Sequence, residues 1–402
     1  MSGLLEGIRV VETGVLLAVD NLGGLLGDAG ADVIKVESPQ IGDYLRNIGP
    51  VMATDWSVAH LASNRNKRSV TIDARTPAGQ GLFGRLVATA DVFITGNIGD
   101  TNRKLGLDYE AVREIKPEIV YCQITGYGSS GPYATIPTHG WMMDALGAGT
   151  PQMELDDNGM VHPIPGSSPV GGSGVILGPM YAAFAVASGL SRRDRFGDGC
   201  YIDISCADSV LASKLTSAIG TLNADKVNPE APMGDLTRSA KYQHYQTADR
   251  KYILFCCIEH KFWKKFCLVS DREDLLGSHD SEQAVDFGFN DDVLRHELQV
   301  TFHTKSQQEW VEIAAQHDIP MGPALRFDEI AEDPHLMARG MLLHEVHPTL
   351  GSFLTLGSPI RVPGEVFSVR SAPALGEHTD EVLMSLGHTL SELDQLREEG
   401  VI

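Results

Sequence analysis

Short β-rich runs alternate with helical patterns from the start of the chain to about residue 125, and this alternation limits the fold more than any other feature. Ile8–Glu12 and Asp32–Glu37 read as strands on either side of a helix over Asn21–Gly30, which a glycine ends. Ser69–Asp73, Val92–Thr95 and Ile119–Thr125 read as further strands, with helices across Ala78–Ala90 and Tyr109–Ile115. Strands spaced by helices pair side by side through crossovers. The pattern therefore predicts an α/β fold with a parallel, doubly wound sheet covered by helices.

Beyond this block a long apolar helix is expected over Ile176–Gly189, then a strand at Tyr201–Ile204 and a helix through about Lys214. Asn223–Leu236, with prolines and mixed charge, reads as a linker. A smaller α/β domain follows, with a strand at Tyr252–Ile258, helices at Phe262–Val269 and Gln307–Ala315, and an extended run at Ile319–Leu325. The last part holds two strands, Leu342–His347 and Phe353–Leu356, and a helix near Thr379–Leu386. The expected division is 1–222, 223–326 and 327–402.

A length of 402 residues allows two domains, and 43% hydrophobic with 21% charged content describes an ordinary globular protein. The net charge of −21 disfavours nucleic acid and anionic membranes as partners, though a local basic patch could still hold a small anion. No apolar run reads as long enough to span a bilayer, and Met1–Glu6 lacks the start of a signal peptide, so the cytoplasm is the expected compartment. Six cysteines show no CxxC pair and no metal spacing, which predicts reduced thiols and no metal.

No GxGxxG follows the first strand, and neither GxxxxGK[ST] nor GxSxG occurs, so nicotinamide and flavin sites of the usual kind, P-loops and serine hydrolases are unsupported. Asn64-Arg65-Asn66-Lys67-Arg68-Ser69 gathers three cations just before a strand and could clamp phosphates; an ordinary solvated loop is the plainer alternative. Glu259 ends a strand, where a catalytic carboxylate or a simple surface acid could equally stand. His139 follows Gly126-Tyr127-Gly128-Ser129-Ser130-Gly131-Pro132-Tyr133 and precedes the glycine turn Gly171-Gly172-Ser173-Gly174. Imidazole and flexible backbone suit an active site, yet a lone histidine is more often structural. Between Asp157 and Asp194 there is no carboxylate.

These residues together resemble the family III CoA-transferases (the CaiB/BaiF type), which include formyl-CoA transferase, carnitine CoA-transferase and α-methylacyl-CoA racemase. The resemblance is carried by Gly7–Glu12, Leu26–Glu37, Asn66-Lys67-Arg68-Ser69, Leu105–Tyr109, the Gly126–Tyr133 segment, Arg195–Asp203, Pro320–Pro323 and Gly376–Leu383. It implies a Rossmann-like large domain built from both chain ends, a smaller inserted domain, and a homodimer or heterodimer of interlocked rings. It also implies CoA or acyl-CoA as substrate, with a carboxylic acid as the second partner. Lys67, Arg68 and Lys104 would serve the 3′-phosphoadenosine, and Val15, Leu16, Asn97 and Ile98 the pantetheine channel.

The chain departs from the family at one chemically decisive place. Members carry an aspartate just ahead of the long helix; here Gly174 or, in another register, Pro169 stands there. The transferase aspartate attacks the donor thioester and then carries CoA itself, which glycine or proline cannot do. Racemase members pair a histidine with that aspartate beside a glutamate, and His139 and Glu259 match the two that remain. Backbone N–H groups of Gly171, Gly172 and Gly174 could stabilise a thioester oxyanion. Three readings follow: an aspartate-lacking subunit of a heterodimeric transferase resembling benzylsuccinate CoA-transferase, a racemase, isomerase or lyase using His139 with Glu259, or a non-catalytic acyl-CoA-binding subunit.

Overall fold

The computed structural model describes residues 3–164, 172–227, 236–280 and 282–402. Six strands form the main sheet: β1 (Arg9–Thr13), β2 (Asp32–Glu37), β3 (Lys67–Thr71), β4 (Val92–Thr95), β5 (Val120–Thr125) and β6 (Cys200–Ser205). They lie in the order 3-2-1-4-5-6, and every neighbouring pair is parallel. Helices α1 (Leu17–Asp28), α2 (Pro77–Val87), α3 (Tyr109–Ile115), α4 (Trp141–Asp144), α5 (Gly174–Phe196) and α6 (Cys206–Ser213) accompany it. Val10, Val33, Ile94 and Cys122 pack under α1 and α5, while Val11, Ile34, Phe93 and Tyr121 pack under α2 and α3. Both faces are covered, which is why central strands such as Val92–Thr95 bury every residue.

Two expectations about α5 need correction. It runs past Ser191 to Phe196, and its stop is Gly197, whose φ of 80° gives the left-handed C-terminal turn. At 23 residues, with a mean hydropathy of 1.5 over an 18-residue stretch, it is also long and apolar enough by length and composition to cross a membrane. Here its glycines fit it against its neighbours: a Cβ on Gly178 would lie 2.5 Å from Cys206 Sγ at the start of α6, and one on Gly189 would lie 3.0 Å from Val120 Cγ1 of β5.

The chain divides into two units, Met1–Leu222 with Gly340–Ile402, and Asn223–Arg339. The second unit has three antiparallel strands, β7 (Tyr242–Gln246), β8 (Tyr252–Cys256) and β9 (Met321–Pro323). Helices α7 (His260–Val269), α8 (Asp292–Phe302) and α9 (Gln307–His317) enclose an aromatic core of Phe255, Trp263, Phe266, Phe302 and Trp310. The return to the first unit comes at Gly340 rather than 327, with the hairpin β10 (Leu342–His347) and β11 (Gly351–Leu356), then α10 (Thr379–Ser385) and α11 (Leu390–Glu398).

A buried ionic network fills the space between α1 and the sheet. Lys67 Nζ donates to Glu12 Oε1 at 2.6 Å, the Asp20 carbonyl at 2.8 Å and Asn64 Oδ1 at 3.0 Å, and its side chain has no exposure. Lys35 pairs with Asp20 and, at 2.9 Å, with Asp43; Arg46 pairs with Glu37 at 2.7 Å. The phosphate clamp expected of the basic cluster is therefore not formed. Lys67 points inward because it shares the α1-facing side of β3 with Ser69, and Arg68 is held by Asp32 at 2.5 Å and Glu381 at 3.0 Å. Gly23 is required by this network, since a Cβ there would fall 1.7 Å from Glu12 Oε2. Gly23→Ala is expected to cost about 1–3 kcal/mol, read in a denaturant titration.

The network also sets a pH dependence. Burial lifts the Asp20 carboxyl to about 7 despite Lys35 and Lys67, and burial pushes the His60 imidazole down to about 3, aided by Arg46 3.2 Å away. A raised acid holds its proton longer in the folded chain, so the Asp20 contribution falls as pH rises from the model-compound value of 3.8 to about 7. A depressed histidine acts oppositely: its contribution is lost as pH falls from 6.5 towards 3. The two oppose each other between about pH 4 and 6.5. In thermal melts, Asp20→Asn should therefore show a melting temperature that rises more steeply with pH across this range than that of the wild type.

Candidate functional site

In this strand order the chain moves outward from β1 to β3 on one side and from β4 to β6 on the other. The C-terminal ends of β1 and β4 thus border the crevice where ligands of open α/β sheets bind. Gly14-Val15-Leu16 leaves β1, and Gly96-Asn97-Ile98 leaves β4. The two turns touch: Gly96 N–H donates to the Thr13 carbonyl at 3.2 Å, and a Cβ on Gly96 would meet Val19 Cγ2 at 2.7 Å. The structure therefore places Val15, Leu16, Asn97 and Ile98 on adjoining loops at one crevice. Asn97 is stiffened from both sides, its amide donating to Asn102 Oδ1 at 2.9 Å and its carbonyl accepting from Gln123 at 2.8 Å. A cavity of about 350 Å³ continues beside this loop, lined among others by Gly99, Arg103, Gln123 and Tyr201. Lys104 is exposed on the short helix Thr101–Leu105 that follows.

The glycine-rich Gly126–Tyr133 segment is anchored by Asp203, whose carboxylate accepts from Ser129 N–H at 2.9 Å and Ser129 Oγ–H at 2.7 Å. Tyr127 O–H donates to the Met142 carbonyl at 3.2 Å, tying the same segment to α4. Gly126 has to be glycine, because a Cβ would sit 2.0 Å from Thr138 Oγ1. His139 emerges from this braced segment exposed, with its carbonyl accepting Met142 N–H at 2.9 Å.

The decisive local feature is the start of α5. The Asp144 carboxylate, at the end of α4, accepts N–H from Gly172 at 3.1 Å, Ser173 at 2.9 Å and Gly174 at 3.5 Å. It is a long-range cap for the helix N-terminus, where unpaired N–H groups and the helix dipole favour an anion. This corrects the oxyanion role expected of Gly172 and Gly174, whose donors already face a carboxylate. Gly171 and Pro169 lie outside the described residues. Asp144→Ala would remove the anionic acceptor shared by these N–H groups and is expected to cost about 1–3 kcal/mol, with Asp144→Asn milder, as followed by thermal melting.

Glu259 lies in the second unit and His139 in the first. Glu259 precedes α7, and its carbonyl rather than its carboxylate caps the helix, accepting N–H from Phe262 and Trp263. Asp144 and Asp203 brace these segments, and sequence reasoning missed both. Among the described residues, no group of three or more His, Cys, Asp or Glu side chains is placed to hold a metal ion.

The profile of CoA-transferase family III matches residues 5–379. The chain belongs to the family III CoA-transferases. It is 27% identical to the formyl-CoA:oxalate CoA-transferase of Rhodopseudomonas palustris, covering 100% of this chain and 98% of that protein. It is 29% identical to the succinyl-CoA–L-malate CoA-transferase beta subunit of Chloroflexus aurantiacus, over 99% and 98% of the two chains. A CaiB/BaiF family protein from Brucella suis has a similar crystal structure, with a TM-score of 0.75, 30% identity, and coverage of 96% of this chain and 100% of that one. CoA thioesters are the substrates of this family, which fits a crevice bounded by two tight loops.

Proposed function

We propose that this chain binds CoA thioesters in the crevice between β1 and β4 and works as the aspartate-lacking subunit of a heterodimeric transferase that moves CoA between carboxylic acids. The observation that carries the reading is the start of α5. Gly174 brings no carboxylate there, and Asp144, 4% exposed, is engaged by backbone N–H groups. A covalent transfer needs a free carboxylate that can attack a thioester and then hold CoA. A sister chain that keeps the family aspartate, as in the benzylsuccinate type, supplies it in this reading.

Exposed apolar surface supports a partner subunit, with the two chains threaded as interlocked rings. Ile176, Met180 and Phe184 of α5 are 57%, 55% and 75% exposed, and the helix Leu215–Leu222 buries none of its residues. The test is co-expression with a family member that retains the aspartate. A stable one-to-one complex with transferase activity, and none from this chain alone, is the expected outcome; full activity from this chain alone would overturn it.

A second reading is favoured by the exposed, well-anchored His139, which could remove the α-proton of an acyl-CoA. It predicts deuterium incorporation from D₂O by this chain alone, abolished in His139→Ala. Absence of exchange across acyl-CoA substrates would reject it.

A further inference from the structure

The turn that leads from β1 into α1 holds an unusual residue. Leu16 has φ 68° and ψ −174°, a region that is essentially reserved for glycine. Such strain persists where the surroundings over-determine it, and here one group does so. Both oxygens of the Asp43 carboxylate accept the Leu16 N–H, at 3.1 and 3.0 Å. Asp43 is itself fixed: it accepts Leu45 N–H at 2.8 Å and Lys35 Nζ at 2.9 Å, and its own N–H donates to Glu37 Oε2 at 3.0 Å. Glu37 in turn clamps Arg46. Burial alone would raise the Asp43 carboxyl, but Lys35 and these N–H donors hold it below the usual carboxylate range. An anionic, immobile acceptor thus pulls one backbone N–H into a conformation that leucine otherwise avoids. The residue before it, Val15, stands 45% exposed at the crevice, on the turn that touches the Asn97 loop.

We infer that Asp43 is a positioning residue for CoA: by holding Leu16 in its strained conformation it fixes the β1–α1 turn as one wall of the crevice. Without the clamp, the turn relaxes to an ordinary backbone conformation, and the wall must be rebuilt each time a ligand binds. The inference rests on the reading that CoA occupies this crevice.

The test is a double-mutant cycle on the full chain, titrating free CoA by calorimetry. Asp43→Asn is expected to weaken CoA binding about tenfold or more in the Leu16 background. In a Leu16→Gly background the same change should cost less than about threefold, because glycine adopts the conformation without strain. Equal losses in the two backgrounds, or no loss in either, would overturn the inference. Arg46→Gln disturbs the same network without touching Leu16. It should stay within about threefold of wild type, and a loss matching that of Asp43→Asn would mean general loosening. Should Asp43→Asn not fold, Asp43→Glu shifts the carboxylate by one methylene beside Lys35 and is judged by the same criteria. If the wild-type chain binds no CoA, the functional reading fails, while hydrogen exchange still tests the clamp. The Leu16 amide should be protected in the wild type and exchange freely in Asp43→Asn, and equal exchange in both would overturn it.

Discussion

Lys67→Met is expected to lower the stability of the first unit by about 3–5 kcal/mol, a loss large enough to leave much of it unfolded. The ammonium has no exposed surface and balances Glu12, whose second oxygen already lacks a partner, alongside the Asp20 carbonyl. Removing one member of a buried pair strands the other charge, and that penalty exceeds the value of the pair itself. Arg68→Ala should cost far less, about 1 kcal/mol, because both its partners, Asp32 at 34% and Glu381 at 65% exposure, remain in contact with solvent. Denaturant titrations of the two variants check the contrast. A Lys67→Met chain that folds normally but binds CoA weakly would show that the cation serves the phosphate after all.

The second large effect concerns restoring the missing acid. Gly174→Asp should destabilise the protein by more than about 2 kcal/mol and bring no transferase activity. A Cβ at this position would fall 2.7 Å from Met143 Cβ and 3.5 Å from Val210 Cγ2, and a new carboxylate would face that of Asp144. The surroundings have closed around the glycine, so the acid cannot be put back at this position by one substitution. Thermal melting and an acyl-CoA exchange assay on purified Gly174→Asp check this; a stable, active variant would mean that α5 tolerates the family nucleophile here.

The sheet was legible because its signals are local. Val92–Thr95 is an apolar run, and Asp32–Glu37 sets Val33, Ile34 and Val36 between charged residues; the structure returns both with the same ends. Some misses were local too. Asp291 caps α8, whose Leu294, Leu298 and Phe302 repeat at four-residue intervals, and Thr389 with Glu392 forms a capping box for α11. These helices could have been read. The supports of the site could not. Asp144 meets its partners 28 to 30 positions away, and Asp43 reaches Leu16 across 27. The inward turn of Lys67 depends on the Glu12 carboxylate of β1 and the Asp20 carbonyl of α1, which only the fold brings beside it. A cluster of cations in sequence carries no record of which are already paired. Val15, Leu16, Asn97 and Ile98, grouped by resemblance alone, lie on adjoining loops after β1 and β4.

The central claim is that this chain handles CoA thioesters without supplying the nucleophile. Intact-protein mass spectrometry measures that directly, after incubation with an acyl-CoA donor alone and with an aspartate-bearing sister chain. The expected result is a covalent CoA adduct on the sister chain and none on this one. An adduct on this chain, at Asp144 or elsewhere, would contradict it.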